Sequence, residues 1–372
     1  MSAFAQSEEQ VLRNILVEER IAMEGVRQMY NFQFDESKKS FEEFTSLNPE
    51  HPSGYFYLVV LEWFTLRMME EDREIWSRMI GGLDNVIRIA EERLKKYPDD
   101  ALSMVYLGAA RGLKARVALS KNNLIDTFYD AQAGFSIIND AMKLNPSMID
   151  PMIGLGVFHY FIAISGNLVR SIAYMAGLSS SREAALDELT YVAENGMYAA
   201  IEARSFLMFA YAYIEEDNDK ALQLARGLVE DFDQNPYFRG KLADILIMSG
   251  MLDEADEHID TMLPLSEGMP EKYINEIKNR ISYLKGEKLR REGKPEEAIK
   301  IFTGLEETYT LEFKFGLAYI YLRTGMAYDQ IGERKQAEKY YKKAEKLDNF
   351  TSAVSLSKKY LKNAYSPADN KR

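Results

Sequence analysis

The sequence predicts an all-α protein, and three observations support that prediction. Stretches of helical hydrophobic period recur along residues 8–361. Alternating apolar runs bounded by Asn-Gly or Asp-Gly are missing, so strand signals are almost absent. Prolines such as Pro49, Pro98 and Pro146 stand where helical stretches end, because proline has no backbone N–H and interrupts a helix. The chain should therefore consist of helices joined by short turns.

Composition and charge restrict the class of partner. The 372 residues are 47% hydrophobic, which is enough for extensive burial. The formal net charge is −12, and nucleic acid and anionic lipid both need a positive surface. A basic run at 335–346 is interrupted by Glu338 and Glu345. We interpret that run as a solvated helix face with i,i+4 ion pairs.

Few residues have the chemistry of a catalytic or metal site. The chain has no cysteine, which excludes disulfides, thiolate nucleophiles and cysteine-ligated metals. Its three histidines, His51, His159 and His258, lack a second histidine at helical spacing. We expect His51 to be exposed or in contact with a helix N-terminus, and His159 to be a satisfied core residue. The sequence therefore predicts no catalytic, cofactor or metal residues and no enzymatic activity.

Small and aromatic residues recur with the spacing of a helix-turn-helix repeat of ~34 residues. The C-terminal example consists of Gly325, Tyr328, Gly332, Ala337, Tyr341, Ala344 and Leu347. Earlier examples are Gly286, Gly293, Ala298 and Phe302, and before them Ala243, Leu246, Gly250, Ala255 and Ile259, preceded by Ala221. A degenerate N-terminal example is formed by Gly25, Phe34, Ser37, Phe41, Phe44 and Pro49.

These spacings resemble the tetratricopeptide repeat family. The resemblance implies a right-handed superhelical solenoid of helix-turn-helix repeats. A second resemblance rests on short segments, including 32–35, 51–56, 154–156 and 181–183, whose order is similar to the inclusion-body-clearance family of long tetratricopeptide repeat proteins. That resemblance implies a non-catalytic adaptor and supplies no active-site residues.

The organisation along the chain follows from the repeats and their flanks. Ala3-Phe4-Ala5 has the small-x-small form of a signal-peptidase site, so an exported, periplasmic protein is predicted, with the cytoplasm as the alternative. The predicted segments are 1–6 as a candidate remnant of an export signal, 7–180 as divergent N-terminal repeats with lengthened helices, 181–349 as C-terminal repeats, 350–364 as a capping helix and 365–372 as a disordered tail.

The resemblance also implies a binding surface, because the first helices of successive repeats line a concave groove in this family. The family offsets place seven residues there, namely Phe206, Tyr213, Asp244, Tyr283, Glu287, Arg290 and Met326. We expect a scaffold that binds a protein or peptide segment in this groove. Nucleic acid is not expected, and neither is membrane contact. The alternatives are an envelope-associated structural protein that contacts lipid through 152–178, and an enzyme with a pocket where the two halves meet.

Overall fold

The computed structural model describes residues 3–66, 73–120, 123–175, 181–309, 314–347 and 350–371. Within these ranges every regular element is helical and no residue lies in a strand. The all-α repeat fold predicted from the sequence is therefore confirmed. None of the helices in the described ranges combines the length and the apolar character that a bilayer crossing requires.

The chain divides into two compact units, and unit 1 comprises the described residues through Ala203 except 164–169. Consecutive helices of this unit pack against each other as α1 with α2, α3 with α4, and α5 with α6. The helices in this part of the chain are α1 (Ala3–Tyr30), α2 (Phe34–Leu47), α3 (Pro52–Leu66), α4 (Arg73–Lys96), α5 (Ala101–Ser120), α6 (Leu124–Leu144), α7 (Met152–Ile164), α8 (Asn167–Met175) and α9 (Arg182–Asn195).

Unit 2 comprises the described residues from Arg204 onward together with 164–169. Its helices are α10 (Ala200–Ala210), which begins in unit 1, α11 (Asn218–Asp231), α12 (Pro236–Met248), α13 (Leu252–Met262), α14 (Glu271–Arg291), α15 (Pro295–Thr308), α16 (Phe315–Gln330), α17 (Arg334–Lys346) and α18 (Ser352–Lys362). A π-helical segment, Tyr211–Glu215, continues α10, and short 3-10 turns span Pro264–Ser266 and Pro367–Lys371. Helix pairs α12 with α13, α14 with α15 and α16 with α17 pack together.

A left-handed residue closes the first helix of a pair in five repeats. The residues are Phe32 (φ 62°), Glu216 (φ 59°), Gly250 (φ 82°), Gly293 (φ 81°) and Gly332 (φ 77°). Glycine adopts this backbone without a Cβ penalty, which explains its use at three of the five turns. All five lie at one offset from the first-helix anchor positions Gly25, Phe209, Ala243, Gly286 and Gly325. The backbone therefore identifies the repeat register even where the sequence has diverged.

The contact between paired helices is also repeated. A Cβ at Gly25 would lie 2.5 Å from Cε1 of Phe41. At the corresponding positions, a Cβ at Gly286 would lie 2.8 Å from Phe302, and one at Gly325 would lie 2.5 Å from Tyr341. Each glycine thus lets an aromatic ring of the second helix pack directly on the backbone of the first. The degenerate N-terminal repeat predicted at Gly25 is built in the same way as the C-terminal ones.

Two features of unit 1 bear on the predictions and on the position of α10. Helix α7 lies within the apolar segment 152–178, and Leu155 and Tyr160 are buried on it. The Asp150 carboxylate accepts hydrogen bonds from the backbone N–H groups of Met197 (2.8 Å), Tyr198 (3.1 Å) and Ala199 (3.0 Å). A negative group at this place satisfies the free N–H groups that precede α10 and complements the helix dipole.

Candidate functional site

The first helices of the unit 2 repeats contribute side chains to one layer, which we call the inner layer. It comprises residues of α10 with its π-helical extension, α12, α14 and α16. The ring of Phe209 lies 5.5 Å from that of Phe315, and Tyr213 lies 5.4 Å from Tyr319. Lys241 Nζ lies 4.4 Å from the centre of the Tyr213 ring. The first and fourth of these helices therefore meet directly across the layer.

The deeper part of the inner layer is a buried charge network, the floor, formed by Asp244, Glu287, Arg290 and Arg323. Arg290 donates two hydrogen bonds to Glu287, at 2.7 Å from Nε and 2.6 Å from the second guanidinium nitrogen. Arg323 Nε lies 3.5 Å from the same carboxylate. Glu287 and Arg290 are fully buried and Arg323 is 5% exposed. One carboxylate is thus the shared counter-charge of two buried guanidinium groups, which it holds through charge-assisted contacts.

The two floor carboxyls have opposite electrostatic environments. Burial opposes the charge of Glu287, but the Arg290 and Arg323 guanidinium groups outweigh it and hold the pKa of Glu287 well below its usual range. Burial raises the pKa of Asp244, and the positive charge of Lys241 only partly offsets that effect. Tyr213 donates a 2.6 Å hydrogen bond to Oδ2 of Asp244, whereas Oδ1 has no hydrogen-bond partner.

The C-terminal segment of the chain covers the floor. Arg290 donates a 2.7 Å hydrogen bond to the Tyr365 hydroxyl, and the Tyr365 backbone N–H donates to Asp329 at 2.8 Å. The Ser352 and Tyr319 hydroxyls lie 2.6 Å apart at the start of α18. Tyr365 was expected to begin a disordered tail, but it is 4% exposed because Arg290 and Asp329 both bind it. The buried charge network is therefore closed off by the chain itself.

The accessible part of the inner layer is an aromatic and cationic surface, the rim, made up of Phe206, Phe209, Tyr237, Lys241, Arg280, Tyr283 and Phe315. All of these residues are only partly buried. The Tyr237 ring lies 5.6 Å from Lys241 Nζ and 5.1 Å from the Arg280 guanidinium carbon. Arg280 also lies 2.9 Å from Glu276, and its side chain remains 23% exposed. The rim thus combines flat rings with cations that reach solvent.

The residues predicted to line a groove fall into two groups. Some are buried in the floor or in the interior, and the others belong to the rim. Tyr213, Asp244, Glu287, Arg290 and Met326 are at most 6% exposed. Phe206 and Tyr283 are partly buried and belong to the rim. The structure brings Tyr213 to Asp244 and Glu287 to Arg290. Partner binding by the seven residues stays a prediction. The five buried residues offer a partner no exposed surface.

Sequence reasoning did not find three of the charged residues in the layer. Lys241 and Arg280 belong to the rim, and Arg323 belongs to the floor. A signal was available, because each lies three residues before a predicted groove position, as Arg323 does before Met326. The repeat offsets identify the inward face of a helix. They do not show that α10 reaches α16 or that Tyr365 covers Arg290.

Two of the three histidines, His51 and His159, have side-chain contacts that explain their positions. His51 is 6% exposed and its Nδ1 accepts a 3.2 Å hydrogen bond from the Ser53 N–H at the start of α3. This is the predicted helix N-terminal contact, and burial lowers the pKa of His51 to about 4. His159 is partly buried and lies 2.8 Å from Glu188. Within the described ranges no three His, Asp or Glu side chains are grouped closely enough to hold a metal ion.

Comparisons with known proteins agree with the repeat architecture. Residues 318–351 match the tetratricopeptide repeat model. The structure is similar to the human IFIT1 dimer with m7Gppp-AAAA (14% identity, 84% of this chain and 68% of that chain, TM-score 0.45). It is also similar to yeast Tom70 (11%, 89% and 86%, TM-score 0.36) and to a tetratricopeptide repeat protein from Parabacteroides merdae (13%, 86% and 99%, TM-score 0.34). A comparison with curated sequences finds no match.

The matched segment contains α17 and nearly all of α16, with the left-handed Gly332 between them. The glycine–aromatic contact of this repeat, between Gly325 and Tyr341, recurs at Gly286 and at Gly25. One repeat is therefore recognised from the sequence, and the repeats before it share its backbone register. The chain contains a tetratricopeptide repeat at 318–351 within an all-α repeat fold.

Proposed function

We propose that this chain is a non-catalytic scaffold that binds an extended, acidic segment of a partner protein at the rim. The observation that carries the proposal is the position of Tyr237, a partly exposed ring 5.6 Å from Lys241 Nζ and 5.1 Å from the Arg280 guanidinium carbon. Aromatic and arginine side chains contribute most of the binding energy in protein interfaces. Phe209 and Phe315, in contact beside them, add an apolar surface for the partner's side chains.

The charges of the inner layer support an acidic partner. Cations outnumber carboxylates there, although the chain as a whole has a net charge of −12. The cations are Lys241, Arg280, Arg290 and Arg323, and the carboxylates are Asp244, Glu276 and Glu287. An acidic segment would therefore be electrostatically complementary, which favours specificity and fast association.

A protein segment fits this surface better than a nucleic acid does. Glu276 and Asp244 lie in the same layer as the cations and would repel a continuous row of phosphates. An acidic peptide, in contrast, can place its carboxylates at Lys241 and Arg280 and its apolar side chains at the phenylalanines. The floor has a different role in this proposal, because it is buried and its ion pairs join α14 to α16.

The proposal can be tested with synthetic peptides and the full chain. Fluorescent peptides of about 12 residues would carry the same aromatic residues with acidic, neutral or basic flanks. We expect the acidic peptide to bind best, and Tyr237→Ala to weaken it roughly 30-fold, the effect of removing a central aromatic anchor worth ~2 kcal/mol. The matched control is Tyr129→Ala, which removes a 68% exposed tyrosine outside the inner layer.

Two outcomes would contradict the proposal. Equal affinities of wild type and Tyr237→Ala, with unchanged melting temperatures, would show that the rim is not the binding surface. If a single-stranded oligonucleotide bound more tightly than the acidic peptide, the partner would be a nucleic acid and not a protein.

The place where the scaffold works is a separate proposal, supported by the Ala3-Phe4-Ala5 pattern alone. We infer that the protein acts outside the cytoplasm. Fractionation of cells expressing the native gene tests this inference, and recovery of the protein with cytosolic markers would contradict it.

A further inference from the structure

Helix α17 carries a row of lysines that is separate from the inner layer. Lys335, Lys339, Lys342 and Lys346, which we call the lysine ridge, recur at i, i+4, i+7 and i+11 and are all exposed. The buried residues of α17 are Ala337, Tyr340, Tyr341 and Ala344. At 3.6 residues per turn the four lysines lie on the side of the helix opposite to the buried side. The solvent face of α17 is therefore a line of four cations.

The sequence predicted that this run would be neutralised by ion pairs along the helix. In the described part of the chain, Arg334 pairs with Glu338 at 3.2 Å, and Lys343 pairs with Glu306. No ion pair or hydrogen bond neutralises the ridge lysines there. Glu338 stands four residues before Lys342, yet it is engaged by Arg334 instead. The predicted i,i+4 pairing is thus wrong for the ridge, whose charges remain available.

The surroundings of the ridge are also cationic. Residues 334–362 contain nine Lys and Arg against three Asp and Glu, in a chain of net charge −12. Acidic residues that lie more than a Debye length of about 8 Å from the ridge act weakly on it, because salt screens exposed charges. Phe350 lies between α17 and α18 and is 48% exposed. A large apolar side chain therefore follows closely after the last ridge lysine.

We propose that the lysine ridge and Phe350 attach the protein to an anionic lipid membrane surface. A straight, outward-facing row on one helix can contact a flat surface along its whole length, without a complementary groove. Lysine acts as a point charge and lacks the fork geometry by which arginine recognises individual phosphates, which suits a layer of mobile headgroups. Phe350 can enter the interface beside the lysines. This function is independent of the rim.

Vesicle sedimentation with the full chain tests the proposal. The probes are vesicles of phosphatidylcholine alone and of phosphatidylcholine with about 30% phosphatidylserine, at physiological salt. We expect binding only to the anionic vesicles, and the combined variant K335Q/K339Q/K342Q/K346Q to lower it roughly 100-fold, because each lysine near an anionic surface contributes a several-fold gain. The matched control K39Q/K95Q/K285Q/K300Q removes four exposed lysines that lie on four different helices and should bind like wild type.

A second variant separates the contribution of Phe350 insertion from that of the lysine charges. Phe350→Ser should weaken binding to anionic vesicles by roughly 5- to 10-fold and leave its salt dependence unchanged. The proposal is overturned if wild type does not sediment with anionic vesicles, or if the ridge variant and the scattered control bind alike. It is also overturned if a single-stranded oligonucleotide binds the ridge more tightly than the vesicles do, since the partner would then be a nucleic acid.

Discussion

The floor and the rim lie on the same helices and differ in what covers them. Lys241 and Asp244 are less than one helical turn apart on α12, and Tyr283 and Glu287 are neighbours on one face of α14. The floor members, Asp244 and Glu287, are buried, whereas Lys241 and Tyr283 are partly exposed. The comparison teaches that repeat register decides which side chains face inward, while long-range packing decides which of them a partner can reach.

Breaking the ion pairs of the floor should have the largest effect on the free energy of unfolding. Glu287→Gln leaves Arg290 and Arg323 buried without their shared counter-charge, and removal of one partner of a buried ion pair typically costs ~3–5 kcal/mol. We therefore expect a strongly reduced free energy of unfolding in urea titrations. The control is Glu254→Gln, which breaks the exposed pair with Arg226 at 2.8 Å and should cost less than about 1 kcal/mol. Similar losses in both variants would show that the floor does not hold unit 2 together.

The pH dependence should distinguish the two floor carboxyls. The pKa of Glu287 is lowered in the folded state, so its stabilising effect is present above about pH 4.3 and is lost as the pH falls further. Melting temperatures of wild type and Glu287→Gln should therefore converge in acid. The pKa of Asp244 is raised, so its protonated form favours folding below about pH 3.9 and that advantage is lost as the pH rises.

The melting temperature of Asp244→Asn relative to wild type should change with pH in the opposite direction from that of Glu287→Gln. An asparagine cannot become charged, and its side-chain oxygen can still accept from Tyr213. Its melting temperature should thus rise relative to wild type between about pH 4 and pH 7. If both variants diverge from wild type in the same direction over this range, the assigned environments of the two carboxyls are wrong.

Substitutions at left-handed turn residues, such as the one after the π-helical segment, should have the smallest effect on the free energy of unfolding. Glu216 holds a left-handed backbone directly after Tyr211–Glu215, which carries Tyr213, the hydrogen-bond donor to the floor residue Asp244. Glu216→Gly should raise the free energy of unfolding by ~1 kcal/mol, because glycine adopts this conformation without strain. Gly293→Ala should lower it by a similar amount, since a Cβ there meets no other atom and only the backbone is affected. Unchanged melting in both variants would contradict the equivalence of the turns.

The sequence predicted local features well and long-range ones poorly. Gly293 and Gly332 indicated turns, because only glycine adopts a left-handed backbone freely. The fixed spacing of the repeat indicated the contact between Gly325 and Tyr341. The left-handed Glu216 carried no such signal. Burial of Arg290 depends on Tyr365, 75 residues away, and no periodic pattern encodes that contact. The predicted groove residues therefore lie in the inner layer, but their exposed and buried members could be separated only in the structure.

Site-specific thiol labelling tests the central claim most directly, because the chain has no cysteine. Lys241→Cys places one thiol in the rim, and Lys285→Cys places one on the exposed side of α14, outside the inner layer. With the acidic peptide at saturating concentration, we expect labelling at 241 to slow at least tenfold and labelling at 285 to be unchanged. Equal labelling rates at 241 with and without bound peptide would contradict the claim that the rim receives the partner.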